Sequence, residues 1–489
     1  MGKLWVPGMA ADGEGFFDRA GYPAAGALVE AVPDRRRAHA AAFGLKLRHP
    51  WKSASETLSA GQRRALAQLA SVLGVGGTVA PDILAVLFGA AGFALFAAIL
   101  VFRIGTYLAG LKTGDEAPAW SPDVAEDWPV YTLLIGLKDE AETAPQLAAA
   151  LRALDYPSDR LDVKLLIETG DEATAFALRR ESWPKGTELH VVPPGLPRTK
   201  PRALNYGLAT ARGEFAVVYD AEDRPHPDQL KAAVRAFRSA GEELACVQAP
   251  LVGEGAAGWI AGQWALEYAV QFGRILPGLA RWRLPVMLGG TSNHFRRAAL
   301  EAAGGWDAWN VTEDADLGLR LARSGRQVGM IAPPTLEAPP EELRVWLAQR
   351  SRWLKGFVQT WLVVMRRPGE AAREMGLAGF AAMQLTLGAA ILSALVHGPW
   401  AVWLALSLML PGASPAPLFL AVAAVSYSAG AAMALAAPGR KGWRRVWLSL
   451  TLPLYWPLQT LAMMRALYGL AKCPHFWAKT PHTVRSHSA

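Results

Sequence analysis

Two cysteines in 489 residues, Cys246 and Cys473, exclude a disulfide framework and leave no spaced set of thiolate metal ligands. Charge is scarce as well. Asp, Glu, Lys and Arg make up 19% of the chain against 52% hydrophobic residues, leaner in charge than a typical soluble domain. The scarcity is concentrated: Met375 to Gly439 carries no charged side chain across 65 positions. At roughly 20 residues per crossing of a hydrocarbon core, that stretch holds two or three membrane helices. The opening residues, MGKLWVPGMAADGEGFF, lack the continuous apolar run of a signal peptide, so none is expected. A dense basic stripe interleaved with aromatics is missing too. The net charge of +8 therefore suits anionic lipid or a phosphorylated substrate and argues against nucleic acid.

Tryptophan, in contrast, is abundant at 19 residues. Trp400, Trp403, Trp443, Trp447 and Trp456 border apolar runs, where indoles anchor at headgroup level. Ile83 to Val101 is a second uncharged run, of 19 residues, long enough for one crossing. Arg63 and Arg64 precede it and Arg103 and Lys112 follow it, so charge leaves open its orientation and also a two-pass hairpin. From Trp128 the pattern changes to short β-branched runs alternating with helical periods. PVYTLLIGL, LDVKLLIE, ELHVVP and EFAVVYD read as strands. Helices are expected over Ala141 to Leu154, Ala173 to Arg180, Arg202 to Ala211 and Pro227 to Ala240. Such an α/β sheet binds ligands beyond the carboxyl ends of its strands, where Glu168 and Asp220 fall. Trp259 to Trp282 reads either as a helix on the membrane surface or as one packed on the sheet.

The division expected from these patterns is an N-terminal cytoplasmic or regulatory region (1–76), a transmembrane segment (77–111), a catalytic domain (112–374), transmembrane helices (375–439) and an interfacial helix with a tail (440–489). The cluster Arg440, Lys441, Arg444 and Arg445 should face the cytoplasm, which requires an even number of crossings after the catalytic domain. Two are placed, at about Ala389 to Leu410 and Leu418 to Ala436, with Gly376 to Gly388 along the interface. Val446 to Met464, interrupted by Pro453 and Pro457, is expected as a kinked interfacial or re-entrant helix. The location expected is the inner membrane, multi-pass, with the catalytic domain cytoplasmic.

Three constellations carry chemistry. DAED, Asp220 to Asp223, closes an apolar strand, and two carboxylates one residue apart can share a hard divalent cation. Alone, such a tetrapeptide is more often a solvated turn or a helix cap. TED, Thr312 to Asp314, opens a helix after a loop-like GGWDAWN and exposes an acid able to take a proton from a hydroxyl. In QRSRW, Gln349, Arg352 and Trp353 share one helical face, an amide, a guanidinium and an indole suited to a pyrophosphate beside a sugar ring.

In this order and spacing the three motifs resemble the membrane-bound processive family-2 glycosyltransferases, the group of cellulose, hyaluronan and chitin synthases, whose hallmarks are D-x-D, T-E-D and Q-x-x-R-W. The resemblance runs from about Val130 through the first helices after Trp353. It implies an α/β fold of GT-A type with flanking transmembrane and interfacial helices. It further implies that Asp220 and Glu222 hold Mg²⁺ or Mn²⁺, with Asp223 competing because the usual second Asp is shifted by one. Asp314 would be the catalytic base, with Glu313 beside it, and Gln349, Arg352 and Trp353 would line the acceptor end. TKPRALN looks like the family's basic segment, making Lys200, Arg202 and Asn205 candidate donor contacts together with Glu140. The usual paired aspartates after the second strand appear here as Glu168, Thr169, Gly170 and Asp171. The loop Gly289 to Phe295 occupies the place of the acceptor loop, with Gly290, Thr291 and His294 as candidates; a buried structural histidine fits His294 as well. In the tail, Trp477, Lys479 and Thr480 resemble a gating segment.

The implied reaction is inverting transfer from a nucleotide-diphosphate sugar, expected to be a UDP-sugar, to a growing polysaccharide with coupled export. The few crossings would then call for an export partner or a homo-oligomer. Single transfer to a lipid acceptor is the alternative, and a nucleotide-sugar sensor without turnover is a third reading.

Overall fold

The computed structural model describes residues 25–26, 28–112, 127–410, 417–439 and 441–477. Its centre is an eight-stranded sheet of β1 (Val29–Ala31), β2 (Tyr131–Leu137), β3 (Leu161–Glu168), β4 (Glu188–Val192), β5 (Phe215–Tyr219), β6 (Leu244–Gln248), β7 (Asn293–Arg296) and β8 (Gln327–Met330), in the order β8-β6-β7-β5-β2-β3-β4-β1. Only β7 runs antiparallel to its neighbours. Successive side chains on a strand point to opposite faces, and here both faces are apolar. Leu133, Ile135, Val163, Leu165, Val217 and Tyr219 pack on one core, while Leu134, Leu166 and Val218 pack on the other. Such two-sided burial suits strands with helices on both faces. The four expected strands are β2 to β5. The expected helices form as Ala144–Arg152, Glu172–Arg179, Lys200–Leu208 and Gln229–Ser239.

Part of the N-terminal region packs on the sheet domain. β1 adds to the sheet edge beside β4, and a helix, Arg35–Arg48, packs on the Lys200–Leu208 helix. Asp34 caps that helix by accepting from the backbone N–H groups of Arg36 and Arg37 at 2.8 and 3.1 Å. Residues 49–56 then run beneath the loop before Thr312, where the Ser53 hydroxyl donates to Asp307 Oδ1 at 3.0 Å. Residues 29–56 thus make contacts with the sheet domain ahead of the boundary expected at 112.

Two helices follow, Ala60–Val79 and Pro81–Leu111, broken at Ala80. The first starts against the catalytic domain, where Gln62 Nε2 donates to the Leu362 carbonyl at 2.7 Å. The second ends there as well, packing its last turns on the Leu276–Arg281 helix. That crossing is so close that a Cβ on Gly278 would lie 1.8 Å from the Thr106 carbonyl oxygen. At 1.5 Å per residue the two arms reach about 30 and 46 Å, out and back.

Pro81–Leu111 and Pro368–Ser407 are long and apolar enough to cross a membrane, and Leu420–Ala436 is a shorter apolar helix. Gly376 to Gly388 does not turn along an interface as expected. The break lies earlier, at Gly376 (φ 70°), and the chain then runs as helix through Gln384–Gly388 into Ala389–Met409. The segment expected to kink does so, as Trp443–Leu450, Leu452–Tyr455 and Leu458–Lys472. The Gly258–Val270 helix is mostly buried and is wedged between the sheet domain and these last helices. Gln263 Nε2 reaches the Leu448 carbonyl at 2.8 Å.

Candidate active site

A cavity of about 530 Å³ opens at the carboxyl ends of the central strands and continues between the apolar helices. β5 delivers Asp220 to its wall, and the following turn presents Glu222. Asp223 turns the other way. Only 1% exposed, it accepts through Oδ2 from the Asp220 N–H at 2.7 Å and from the Thr291 hydroxyl, closing the turn. The two acids facing the cavity are thus Asp220 and Glu222, the D-x-D spacing. Lys200, on the first turn of its helix, bonds Asp220 Oδ1 and donates to the Gly290 carbonyl at 2.8 Å. Gly290 in turn adjoins Asp314: a Cβ built on it would stand 3.6 Å from Asp314 Oδ2. One lysine therefore ties the strand-end acid to the loop beneath the helix-start acid.

Glu313 and Asp314 occupy the first turn of the Glu313–Arg323 helix, where the helix dipole favours negative charge. The preceding loop is clamped to the Leu343–Val364 helix: Asn310 Nδ2 donates to Thr360 Oγ1 at 2.8 Å, and the Val311 N–H to Gln359 Oε1 at 3.2 Å. Gly356 permits this approach, since a Cβ there would meet Thr312 Oγ1 at 2.3 Å. The same helix turns Gln349, Arg352 and Trp353 into the cavity. Gln349 Oε1 accepts from Trp264 Nε1 at 3.0 Å, Trp353 stacks near Tyr268, and Arg352 lies over the Trp477 ring at 5.4 Å. Trp477 itself is held in place because Lys355 Nζ donates to the Phe476 carbonyl at 2.7 Å and Gln359 Nε2 to that of Pro474 at 3.0 Å. Lys479, Thr480 and Arg440 lie outside the described residues.

Several sequence candidates fall elsewhere. His294 is fully buried on β7 between the Tyr131 hydroxyl (2.7 Å) and Gln229 Oε1 (3.1 Å), and burial pushes its pKa down to about 3. It is a core histidine. Asn205 spends its amide on the Ala41 and Trp306 carbonyls at 3.0 and 2.7 Å. Asp171 caps the Glu172–Arg179 helix through the Thr174 N–H and also accepts from the Asp139 N–H at 2.6 Å. Arg202 is 1% exposed and backs Glu168 at 3.1 Å without lining the cavity. Glu140, Glu168, Gly290 and Thr291 do line it.

Other lining residues were not singled out: Lys138, Arg198, Glu267 and Glu337 carried no motif, and Arg350 lies inside QRSRW without a role of its own. Arg198 directly precedes TKPRALN and could have been read with it, whereas Glu337, at the end of a three-residue strand, gives no signal.

Negative charge exceeds its local compensation. Burial, then Asp220 and Glu222, drives the Asp223 carboxyl well above its ordinary pKa; burial, then Asp223 and Glu222, does the same to Glu337. Glu313 is pushed up to about 7 by burial and by Asp314, and Asp314 is raised by burial. Burial opposes charge on Lys200, but Asp220 and Glu313 outweigh it and keep its pKa above the usual lysine value. The Asp223 Oδ1 atom is buried without a hydrogen-bond partner. A divalent cation at this acidic turn would relieve the excess, so the residues fit one. Among the described residues no three His, Cys, Asp or Glu side chains converge as a complete metal site.

A family model described as glycosyl transferase family group 2 matches residues 216–467. The beta-monoglucosyldiacylglycerol synthase of Synechocystis sp. is 28% identical over 304 residues, 59% of this chain and 60% of that protein. The synthase of the same description from Trichormus variabilis is 27% identical, covering 48% of this chain and 50% of its own length. Cellulose synthase 2 of Novacetimonas hansenii is 25% identical over 50% of this chain and 15% of its own. The chain thus spans about 50 to 60% of the monoglucosyldiacylglycerol synthases it matches. A solved mannosyltransferase of Pyrobaculum calidifontis, in complex with GDP-Man and Mn²⁺, superposes with a TM-score of 0.50 at 21% identity, covering 78% of this chain and 97% of that one. That likeness concerns the fold, which is mixed α/β and GT-A-like with long apolar C-terminal helices.

Proposed function

The chain belongs to glycosyl transferase family group 2, and from that premise we propose that it transfers one sugar from a nucleotide-diphosphate sugar to the hydroxyl of a membrane lipid of the diacylglycerol class. The observation that carries the lipid reading is the continuity of the cavity. It runs from Asp220 and Asp314 past Trp353 to walls of Phe96, Ile99, Leu100, Ala390, Ala394 and Met433. A growing glycan presents hydroxyls along its whole length and would leave them unpaired against such walls, at a cost per group of roughly 1–3 kcal/mol. Acyl chains match them. The Synechocystis and Trichormus relatives are named as monoglucosyldiacylglycerol synthases, which supports the same choice. The polysaccharide reading therefore yields to the single-transfer alternative.

In this reading the donor diphosphate lies at Asp220 and Glu222, near Lys138, Lys200 and Arg198. Mg²⁺ or Mn²⁺, held by Asp220 and Glu222 with ligands from the nucleotide, would neutralise the departing diphosphate. Asp314 takes the proton of the lipid hydroxyl, whose oxygen attacks the anomeric carbon from the face opposite the leaving group. The carbon–oxygen bond to the diphosphate breaks, its electron pair leaves with the nucleotide, and the configuration inverts. Trp353 and Arg352 form the platform on which the acceptor end rests.

Incubating vesicles that contain the protein and diacylglycerol with labelled nucleotide sugars tests the proposal. Label should enter the organic phase as a lipid bearing one sugar. A water-phase or insoluble polymer as the main product would overturn the reading.

The helix pair Ala60–Val79 and Pro81–Leu111 serves as a membrane hairpin, with Arg63, Arg64 and Lys112 on the catalytic side and the Ala80 turn opposite. Single cysteines at Ala80 and at Gly442, in a background with Cys246 and Cys473 replaced, should be labelled by an impermeant maleimide from opposite sides. Labelling of both from one side would remove the hairpin.

A further inference from the structure

Arg103 stands eight residues before the end of the Pro81–Leu111 helix, about 12 Å from its catalytic end. That places it about one turn before Thr106, where the helix crosses the Leu276–Arg281 helix at Gly278. Its side chain is exposed on the helix and lines the cavity. A guanidinium offers five N–H donors and no acceptor, and an ionised group at membrane depth needs partners or a functional reason to be there. Glu267 is the carboxylate within electrostatic reach of Arg103. Both its oxygens are already engaged: Oε1 by Arg350 Nη1 at 2.7 Å, and Oε2 by Arg350 Nη2 at 2.8 Å and the Tyr455 hydroxyl at 3.0 Å. Among the described residues Arg103 forms no ion pair, and the side-chain amides of Gln271 and Gln459, which line the same chamber, make no hydrogen bond. An arginine without an ion pair and two unbonded amides therefore line one cavity.

We propose that Arg103, with Gln271 and Gln459, is a subsite for the ester carbonyls of the acceptor glycerolipid. Ester carbonyls are acceptors only, two per diacylglycerol, and sit one and two carbons from the free hydroxyl-bearing end of the glycerol. Holding them fixes the depth and rotation of the glycerol unit and so aims the hydroxyl past Trp353 toward Asp314. Specificity for ester-linked over ether-linked lipid follows, because an ether oxygen is a poor acceptor and leaves the guanidinium unpaired. This inference rests on the lipid-acceptor reading above.

The test compares a 1,2-diacylglycerol with the 1,2-dialkylglycerol of equal chain length as acceptors for the reconstituted protein. Wild type should favour the diester in kcat/KM by about ten-fold or more, the range of one charge-assisted hydrogen bond. In Arg103→Met the ratio should fall to about one while slow donor hydrolysis by water persists. Gln459→Leu should lower the ratio by about three-fold and keeps the test intact if Arg103→Met does not fold. A wild-type ratio near one, or a ratio unchanged in the variants, as expected of an arginine that merely snorkels to the membrane surface, would overturn the subsite. Failure of both lipids to accept sugar would instead overturn the lipid reading itself.

Discussion

Asp314→Asn should lower turnover by about 10²–10⁴-fold while donor affinity stays within a few-fold of wild type, because the amide keeps the shape but cannot accept the acceptor's proton. The site gives this expectation a pH signature. Glu313 is buried and the adjacent Asp314 half-buried, so the pair does not readily carry two negative charges. Burial raises both, and the charge of Asp314 helps to hold Glu313 at about 7. A base works only when deprotonated, so activity should be present above the pair's titration and lost as pH falls through it. With the charge at 314 removed, Glu313 loses one of the influences that raise it, and the residual activity of Asp314→Asn should show an acid limb displaced to lower pH. Initial rates of nucleotide release between pH 5 and 9, with donor binding measured separately, check both statements. Near-normal turnover in Asp314→Asn would withdraw the base assignment.

The sheet was legible because its strands are apolar on both faces and short. Runs such as LDVKLLIE allow no amphipathic helix, and β2 to β5 form within a few residues of their expected bounds. The strands β1, β6, β7 and β8 and the Arg35–Arg48 helix escaped. β1 is three residues long and lies at the edge, with no pattern of its own. The Arg35–Arg48 helix did carry a signal: Asp34 as cap, then Ala38, Ala41, Ala42 and Leu45 at helical spacing, all buried. Three successive arginines and an alanine-rich composition masked it. The break at Gly376 instead of Gly388 was hidden for a different reason. A glycine at positive φ is visible only in the backbone, and from Met375 onward the sequence is uncharged without a break signal.

At the site, motif residues were legible as types and their orientation was not. Asp220, Glu222, Asp223, Lys200, Arg202 and Asn205 are all polar, and each lies on the strand-end turn or on the helix beside it. Which of them faces the cavity depends on a turn closed by Thr291, 68 residues away from Asp223. His294 follows the same logic: a strand residue points to one face or the other, and β7 turned it inward. Glu337 and the cavity-facing pair of Arg350 with Glu267 depend on contacts between distant segments, which spacing along the chain does not encode.

That last pair carries the largest expected effect on stability. Arg350 lies between Gln349 and Trp353 on one helix, grips Glu267 of a second helix with two parallel bonds, and meets Tyr455 of a third. Trp346 Nε1 donates to the same Tyr455 hydroxyl at 2.9 Å, and the Arg350 guanidinium sits 4.6 Å from the Trp353 ring. Arg350→Met would strand a carboxylate beside an apolar chamber. Breaking a buried ion pair in this way costs about 3–5 kcal/mol, and because Glu267 is 34% exposed the expected loss is at the low end, about 3 kcal/mol. Replacing both partners removes the stranded charge, so Glu267→Met with Arg350→Met should recover most of that loss. Thermal unfolding of the three variants in detergent measures the coupling. The double variant should also separate packing from positioning. If Arg350 holds Trp353 for the acceptor, the variant regains stability yet keeps a raised KM for the lipid, with donor KM near wild type. Recovery of both together would reduce Arg350 to a structural rivet.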